Sequence, residues 1–124
     1  MINKVGKITI YVNDQEQAKN FWLNLDFVLK FEQQMGPNAT WIEVGPSEEE
    51  FTTLVLYSKS LMETQDPTKV AHPSILFSTK DIESAYEKMK QNEVEVGEML
   101  RMPFGTMFTF KDQDGNEYLL REDK

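Results

Sequence analysis

His72 is the only histidine in the sequence and it stands beside Pro73, so no second imidazole is present to share a metal or relay a proton. Cysteine is absent, which removes thiolate metal ligands, a catalytic thiol and any disulfide framework together. The chain holds no GxSxG elbow, no Gly-rich phosphate loop and no HExxH pair. The stretch "DQDG" at 112–115 opens like a calcium loop but lacks the rest of that motif, and it reads as a turn. Left for chemistry are a few charged groups, Lys7, Glu43, Glu117 and Arg121, set among aromatic and thioether side chains. That stock suits holding an organic molecule, by polarizable contact and ring stacking, rather than nucleophilic or acid–base catalysis. No catalytic residue is assigned.

Composition narrows the partners. The 124 residues amount to one domain by length, and 40% of them are hydrophobic, enough for a core. The formal charge of -8, with Lys and Arg scattered singly, disfavours nucleic acid. The one acidic run, "SEEE" at 47–50, reads as a solvated loop. The opening "MINKVGKITIYV" has no uninterrupted apolar stretch of the signal-peptide kind, and no segment is apolar enough to span a membrane. With no cysteine, a cytoplasmic location is expected.

The elements that must position the charged groups come twice. "KITIYVNDQEQAKNFWLNLDF" (7–27) sets over "SILFSTKDIESAYEKMKQNEV" (74–94), placing Ile8 on Ile75, Asp14 on Asp81, Glu16 on Glu83 and Ala18 on Ala85. Each copy reads as an alternating strand, an Asp N-cap and a helix. Ala18, Phe21, Trp22 and Leu25 share one helical face, and Ile82, Ala85, Tyr86 and Met89 share the other. Three strands then follow each helix: 27–35, 40–45 and 51–58 in the first half, and 94–102, 106–112 and 116–122 in the second. Turn residues such as Gly36-Pro37-Asn38 and Asp114-Gly115 separate them. The expectation is an α+β single domain of two βαβββ repeats, about 1–58 and 74–124, joined by an aperiodic connector at 59–73. Pairing the repeats would close a curved half-barrel sheet around a shared cleft that could receive a small ligand.

These stretches resemble the vicinal oxygen chelate superfamily, which includes glyoxalase I, bleomycin-resistance proteins and extradiol dioxygenases. The likeness rests on "ITIYVNDQEQAKNFW", "WIEVGP" running into "TTLVLY", "SILFSTKDIESAYEKMK" and "FGTMFTFKDQDGNEYLL", in that order, over nearly the whole chain. It implies a glyoxalase-like fold, frequent homodimers and, in the enzymes, a divalent metal held by His, Glu or Gln that chelates two adjacent substrate oxygens. The family's metal histidines fall at Lys7 and Ser74, at matching distances ahead of Asp14 and Asp81. Its carboxylate positions fall at Leu119 and at Leu54 or Leu56. An ammonium, a hydroxyl and two aliphatic chains make no site for a divalent ion, so no cofactor is expected.

Strand alternation then predicts which residues face the cleft. With Ile8, Ile10 and Val12 on the helix side, Lys7, Thr9 and Tyr11 turn inward. Trp41 and Glu43 do so by repeat alignment, as do Ser74 and Leu76, Met107 and Thr109, and Glu117, Leu119 and Arg121. The expected ligand-binding set is Lys7, Thr9, Trp41, Glu43, Leu56, Ser74, Met107, Leu119 and Arg121, with Leu54, Met35 and Phe104 near it. Lys7 either pairs with Glu43 where the family holds its cation, or sits at a frayed strand end and reaches water. Arg121 either clamps a ligand carboxylate or joins a surface pair. His72 reads as an exposed connector-end residue or, less simply, as a rim ligand.

The expected function is therefore metal-free binding of a small hydrophobic or aromatic compound, as in the drug-sequestering members of the family. Two alternatives stand beside it. One is a metal-dependent lyase or ring-cleaving dioxygenase using Glu43, Glu117 and His72, and the other is a non-catalytic dimeric interaction module.

Overall fold

Asp14 and Asp81 start the two long helices by the same device. The computed structural model describes residues 1–123. In it the Asp14 carboxylate accepts from the Gln17 amide at 3.0 Å and opens α1, Gln15–Asn24. Asp81 accepts from the Ser84 amide at 3.1 Å and opens α3, Ile82–Gln91. Each side chain satisfies an amide that the first helical turn leaves without a backbone partner.

The chain is α+β, with two four-stranded mixed sheets and three helices. The first compact unit, Met1–Pro73, carries β1 (Lys7–Val12), β2 (Val28–Gly36), β3 (Ala39–Gly45) and β4 (Thr53–Ser58) in the order β1-β4-β3-β2. The second unit begins at Ser74 and carries β5 (Leu76–Thr79), β6 (Leu100–Met102), β7 (Gly105–Lys111) and β8 (Glu117–Glu122) in the order β5-β8-β7-β6. In both, the strand before the helix pairs in parallel with the last strand and the other pairings are antiparallel.

Each unit buries the helix-facing side of its own sheet. In the first, Ala18 and Trp22 of α1 are fully enclosed with Ile10, Val12, Ile42, Val44 and Leu56. In the second, Ile82 and Met89 of α3 are buried with Phe108, Phe110, Tyr118 and Leu120. Each fully buried aliphatic chain contributes about 1.5–3 kcal/mol, so these two layers account for most of what holds the sheets to their helices.

Three stretches differ from their expected form. Residues 59–65, expected as featureless connector, form α2 (Lys59–Gln65), because the Ser58 hydroxyl accepts from the Leu61 amide and caps it. A single 3₁₀ turn follows at Pro67–Lys69. The strand expected at 94–102 is interrupted: Val96 opposes Phe110, but Leu100 opposes Met107. Residues 97–99 on one side therefore face only 108 and 109 on the other, a bulge that leaves only Leu100–Met102 as β6. Ser74, expected inside the fifth strand, precedes β5 and is exposed.

The "SEEE" stretch is a loop, as expected, and its backbone is gathered by one cation. Lys30 is the extra residue where β2 bulges against β3, and its ammonium donates to the carbonyls of Ser47, Glu48 and Glu50. No helix among the described residues is long and apolar enough to cross a membrane.

Candidate functional site

Opposite α1, the first sheet turns a polar and aromatic face outward, and Glu43 lies at its centre. Period-2 alternation along β3 puts Ile42 and Val44 into the core and leaves Trp41 and Glu43 on the other side. Glu43 is nonetheless 8% exposed, a carboxylate almost removed from water. Three donors make that tolerable: the Lys7 ammonium reaches Oε1 at 2.7 Å, the Thr53 hydroxyl reaches Oε1 at 3.0 Å, and the Trp41 indole N–H reaches Oε2 at 2.7 Å. Burial pushes the Glu43 carboxyl up, but the Lys7, Trp41 and Thr53 hydrogen bonds together outweigh it and hold the group below the usual carboxylate range.

Both readings of Lys7 are partly realised. Its nitrogen is paired with Glu43, while its side chain remains 51% exposed at the start of β1. An ion pair that open to solvent contributes under about 1 kcal/mol by itself. The carboxylate is therefore held by Lys7 together with the Trp41 and Thr53 donors, against the cost of its burial.

The remaining residues of the face follow from register. β1 and β4 run parallel with Lys7 beside Thr53, Thr9 beside Val55 and Tyr11 beside Tyr57. Glu43 lies opposite Val55 across β3 and β4, and Phe31 and Gln33 of β2 lie opposite Glu43 and Trp41. The rings of Trp41 and Tyr57 meet edge to face at 6.0 Å between centroids, and Tyr57 meets Tyr11 at 6.3 Å.

The same register corrects the expectation for Leu56, and for Leu54 with it. Leu56 sits beside Ile10 and Leu54 beside Ile8, so both leucines belong to the helix side; Leu56 is 0% exposed. A one-residue change of parity moves every side chain of a strand to the other face. Thr53, Val55 and Tyr57 occupy the outward positions instead. The signal was present, since in "TLVLYS" the most apolar alternate positions are the leucines, as the isoleucines are in β1.

In the second unit, alternation holds as expected. Phe108, Phe110, Tyr118 and Leu120 face the helix, whereas Met107, Thr109, Leu119 and Arg121 share the outer face with Leu76, Leu100 and Met102. Leu76, Leu100 and Met102 are 54%, 44% and 44% exposed, so this face is apolar and open. Arg121 joins no surface ion pair among the described residues and donates to the Phe104 carbonyl at 2.6 Å. Glu117 is exposed opposite Lys111, Ser74 is exposed ahead of β5, and His72, expected to be exposed, is half-buried just before Pro73, which ends the first unit. Met35 and Phe104 are exposed, in β2 and in the turn before β7.

This donor chemistry does not fit a divalent metal. In the first unit, the family's histidine position is an ammonium already bound to Glu43, and the outward positions of β4 are Thr53, Val55 and Tyr57. In the second, Ser74 offers a hydroxyl and Leu119 offers no lone pair. Among the described residues, no three His, Cys, Asp or Glu side chains gather where they could hold an ion.

Taken with this fold, the sequence defines the class. The chain belongs to the Glyoxalase/Bleomycin resistance protein/Dioxygenase superfamily, whose sequence profile matches residues 4–119. It is 44% identical over 124 residues to YetH, an uncharacterized protein of Bacillus subtilis (strain 168), covering 98% of this chain and 100% of that one. Among solved structures it resembles TnmS3, an antibiotic binding protein from Streptomyces sp. CB03234, at 28% identity and a TM-score of 0.82 over 99% of this chain and 98% of that one. A superfamily member from Sphaerobacter thermophilus DSM 20745 is 31% identical with a TM-score of 0.83, covering 98% of each chain.

The protonation of Glu43 yields a prediction. Its folded-state pKa is lower than its unfolded value, so its contribution is present above the ordinary carboxylate value of 4.5 and is lost as pH falls through the folded value. Melting temperature should therefore fall below about pH 4.5, and Glu43→Gln should flatten that limb of the profile. An unchanged acid limb in the variant would mean that Glu43 titrates as a free carboxylate.

Proposed function

We propose that the protein binds a small hydrophobic or aromatic compound, without a metal, against the outward faces of its sheets. The observation that carries this reading is the Lys7–Glu43 pair: an ammonium, held 2.7 Å from a buried carboxylate, stands where the family's enzymes present a metal ligand. A cation at that point repels a second cation, and the adjacent Trp41 and Tyr57 rings provide stacking surface. The likeness to TnmS3, described as an antibiotic binding protein, supports the same reading. A homodimer, as the family likeness implies, is part of this reading, and a solution mass measurement tests it.

Two measurements test the binding reading. Metal analysis of the purified protein should find well under one Ni, Zn, Mn or Fe per chain, and a stoichiometric transition metal would overturn the proposal. A thermal-shift screen against planar aromatic antibiotics and aromatic acids should find compounds that raise the melting temperature with concentration, reflecting about 2.7 kcal/mol of added stability at a hundredfold excess over Kd. For such a compound Trp41→Ala should weaken binding roughly tenfold, through lost ring contact. Trp41→Phe, which keeps a ring but not the N–H on Glu43, should recover most of it.

A further inference from the structure

Arg121 carries the next step. Its Cα stands opposite Met107 on β7 and beside Ser78 on β5, near the end of β8, on a face whose other members include Leu76, Leu100, Met102, Thr109 and Leu119. Arg121 is a half-buried residue whose guanidinium hydrogen bond lies exposed, and it meets no carboxylate among the described residues, in a chain with 21 acids and 13 bases. Among the described residues its hydrogen bond runs from Nη2 to the Phe104 carbonyl, which aims the fork without neutralising it. Gly105 makes room for that pose: a Cβ there would lie 2.8 Å from Nε, and its φ of +154° disfavours any other residue. Lys7 differs, because its charge is already matched by Glu43.

A guanidinium held in place by a backbone carbonyl, accommodated by a glycine and set beside the Ser78 hydroxyl on a face that is otherwise largely aliphatic and thioether, complements one kind of molecule. We infer that the compound bound by this protein carries an anionic group, a carboxylate, sulfonate or phosphate oxygen pair, which Arg121 engages through Nε and Nη while an apolar body lies on Met107, Leu119 and Leu76. This rests on the small-molecule reading above and names the ligand's class. Arg121 is thereby the residue that discriminates anionic from neutral ligands.

The test uses two dyes with the same ring system, 8-anilino-1-naphthalenesulfonate and its neutral counterpart N-phenyl-1-naphthylamine, titrated by fluorescence. The wild-type protein should bind both, and Arg121→Gln should weaken the sulfonate roughly tenfold or more with the neutral dye almost unchanged. Arg121→Lys keeps the charge but not the fork and should fall between. Arg101→Gln removes the same charge from the helix side, where Arg101 pairs with Glu83, and should leave the ratio of the two affinities as in the wild type. If Arg121→Gln leaves that ratio unmoved while both dyes still bind, the assignment to Arg121 is wrong and small-molecule binding stands. If neither dye binds the wild type, binding on these faces is itself refuted, and this inference with it.

Discussion

Trp22→Ala should lower stability by about 3–5 kcal/mol, the range for deleting a large aromatic from a closed core. Trp22 is 0% exposed in the last turn of α1. Its ring meets Phe21 edge to face at 5.2 Å and Phe27 at 4.9 Å, so the helix, the turn that follows it and the sheet beneath all lose contacts together. Ala18, one turn earlier on the same face, is too small to move into the space. The melting temperature should fall by roughly 10–20 °C for a domain of this size. Trp22→Phe should recover about half, because a six-membered ring fills part of the volume. A loss below about 1 kcal/mol in the alanine variant would mean that the layer between α1 and its sheet collapses freely around the hole.

Asp112→Ala should cost about 3 kcal/mol, although Asp112 touches no ligand face. The side chain is 7% exposed and organises the whole "DQDG" turn. Oδ1 accepts from the amides of Asp114 at 2.9 Å and Asn116 at 3.0 Å, while Oδ2 accepts from the Tyr118 hydroxyl at 2.6 Å and the Asn116 side-chain amide at 3.2 Å. Hydrogen bonds to a charged acceptor contribute about 1.5–3 kcal/mol each, and two of the four donors here are backbone amides of the turn itself. Burial first, and then the Asp112 carboxylate, push the Tyr118 hydroxyl far above its ordinary pKa, so it stays a donor across the whole working pH range. Removing Asp112 leaves that hydroxyl buried without its acceptor. Tyr118→Phe should cost less, about 1–2 kcal/mol, and the double variant should cost less than the sum of the two. Strict additivity in denaturant titrations would show that the 2.6 Å contact contributes no coupling. Asp112→Asn should retain the amide contacts and much of the stability.

Local chemistry is where sequence reasoning succeeded. Asp caps, helical stripes and turn residues act over one or two turns of chain, so the doubled strand–helix–three-strand plan could be read directly. The alternation of Ile8, Ile10 and Val12 against Lys7, Thr9 and Tyr11 predicted the outward side of β1, and Tyr118 and Leu120 did the same for β8. Even the partner of Lys7 was within reach, because a buried carboxylate needs donors and Glu43 shares its parity with Trp41.

Pairing register was not. The alternation in "TLVLYS" marked the face of Leu54 and Leu56, but which residue of β4 stands beside Lys7 is set by the packing of β1, α1 and β4 together. The cap at Ser58 and the bulge between Val96 and Leu100 are likewise choices made against neighbouring strands and backbone.

Arg121 shows the limit most clearly. Its place on β8 follows from alternation, but its hold on the Phe104 carbonyl exists only once β7 and β8 lie side by side with Gly105 beneath it. Residue order along the chain decided the family and the doubled order of elements. Assembly of the strands decided which charges are neutralised and which remain open, because a cation is matched or unmatched only by what packing brings to within about 3–4 Å of it.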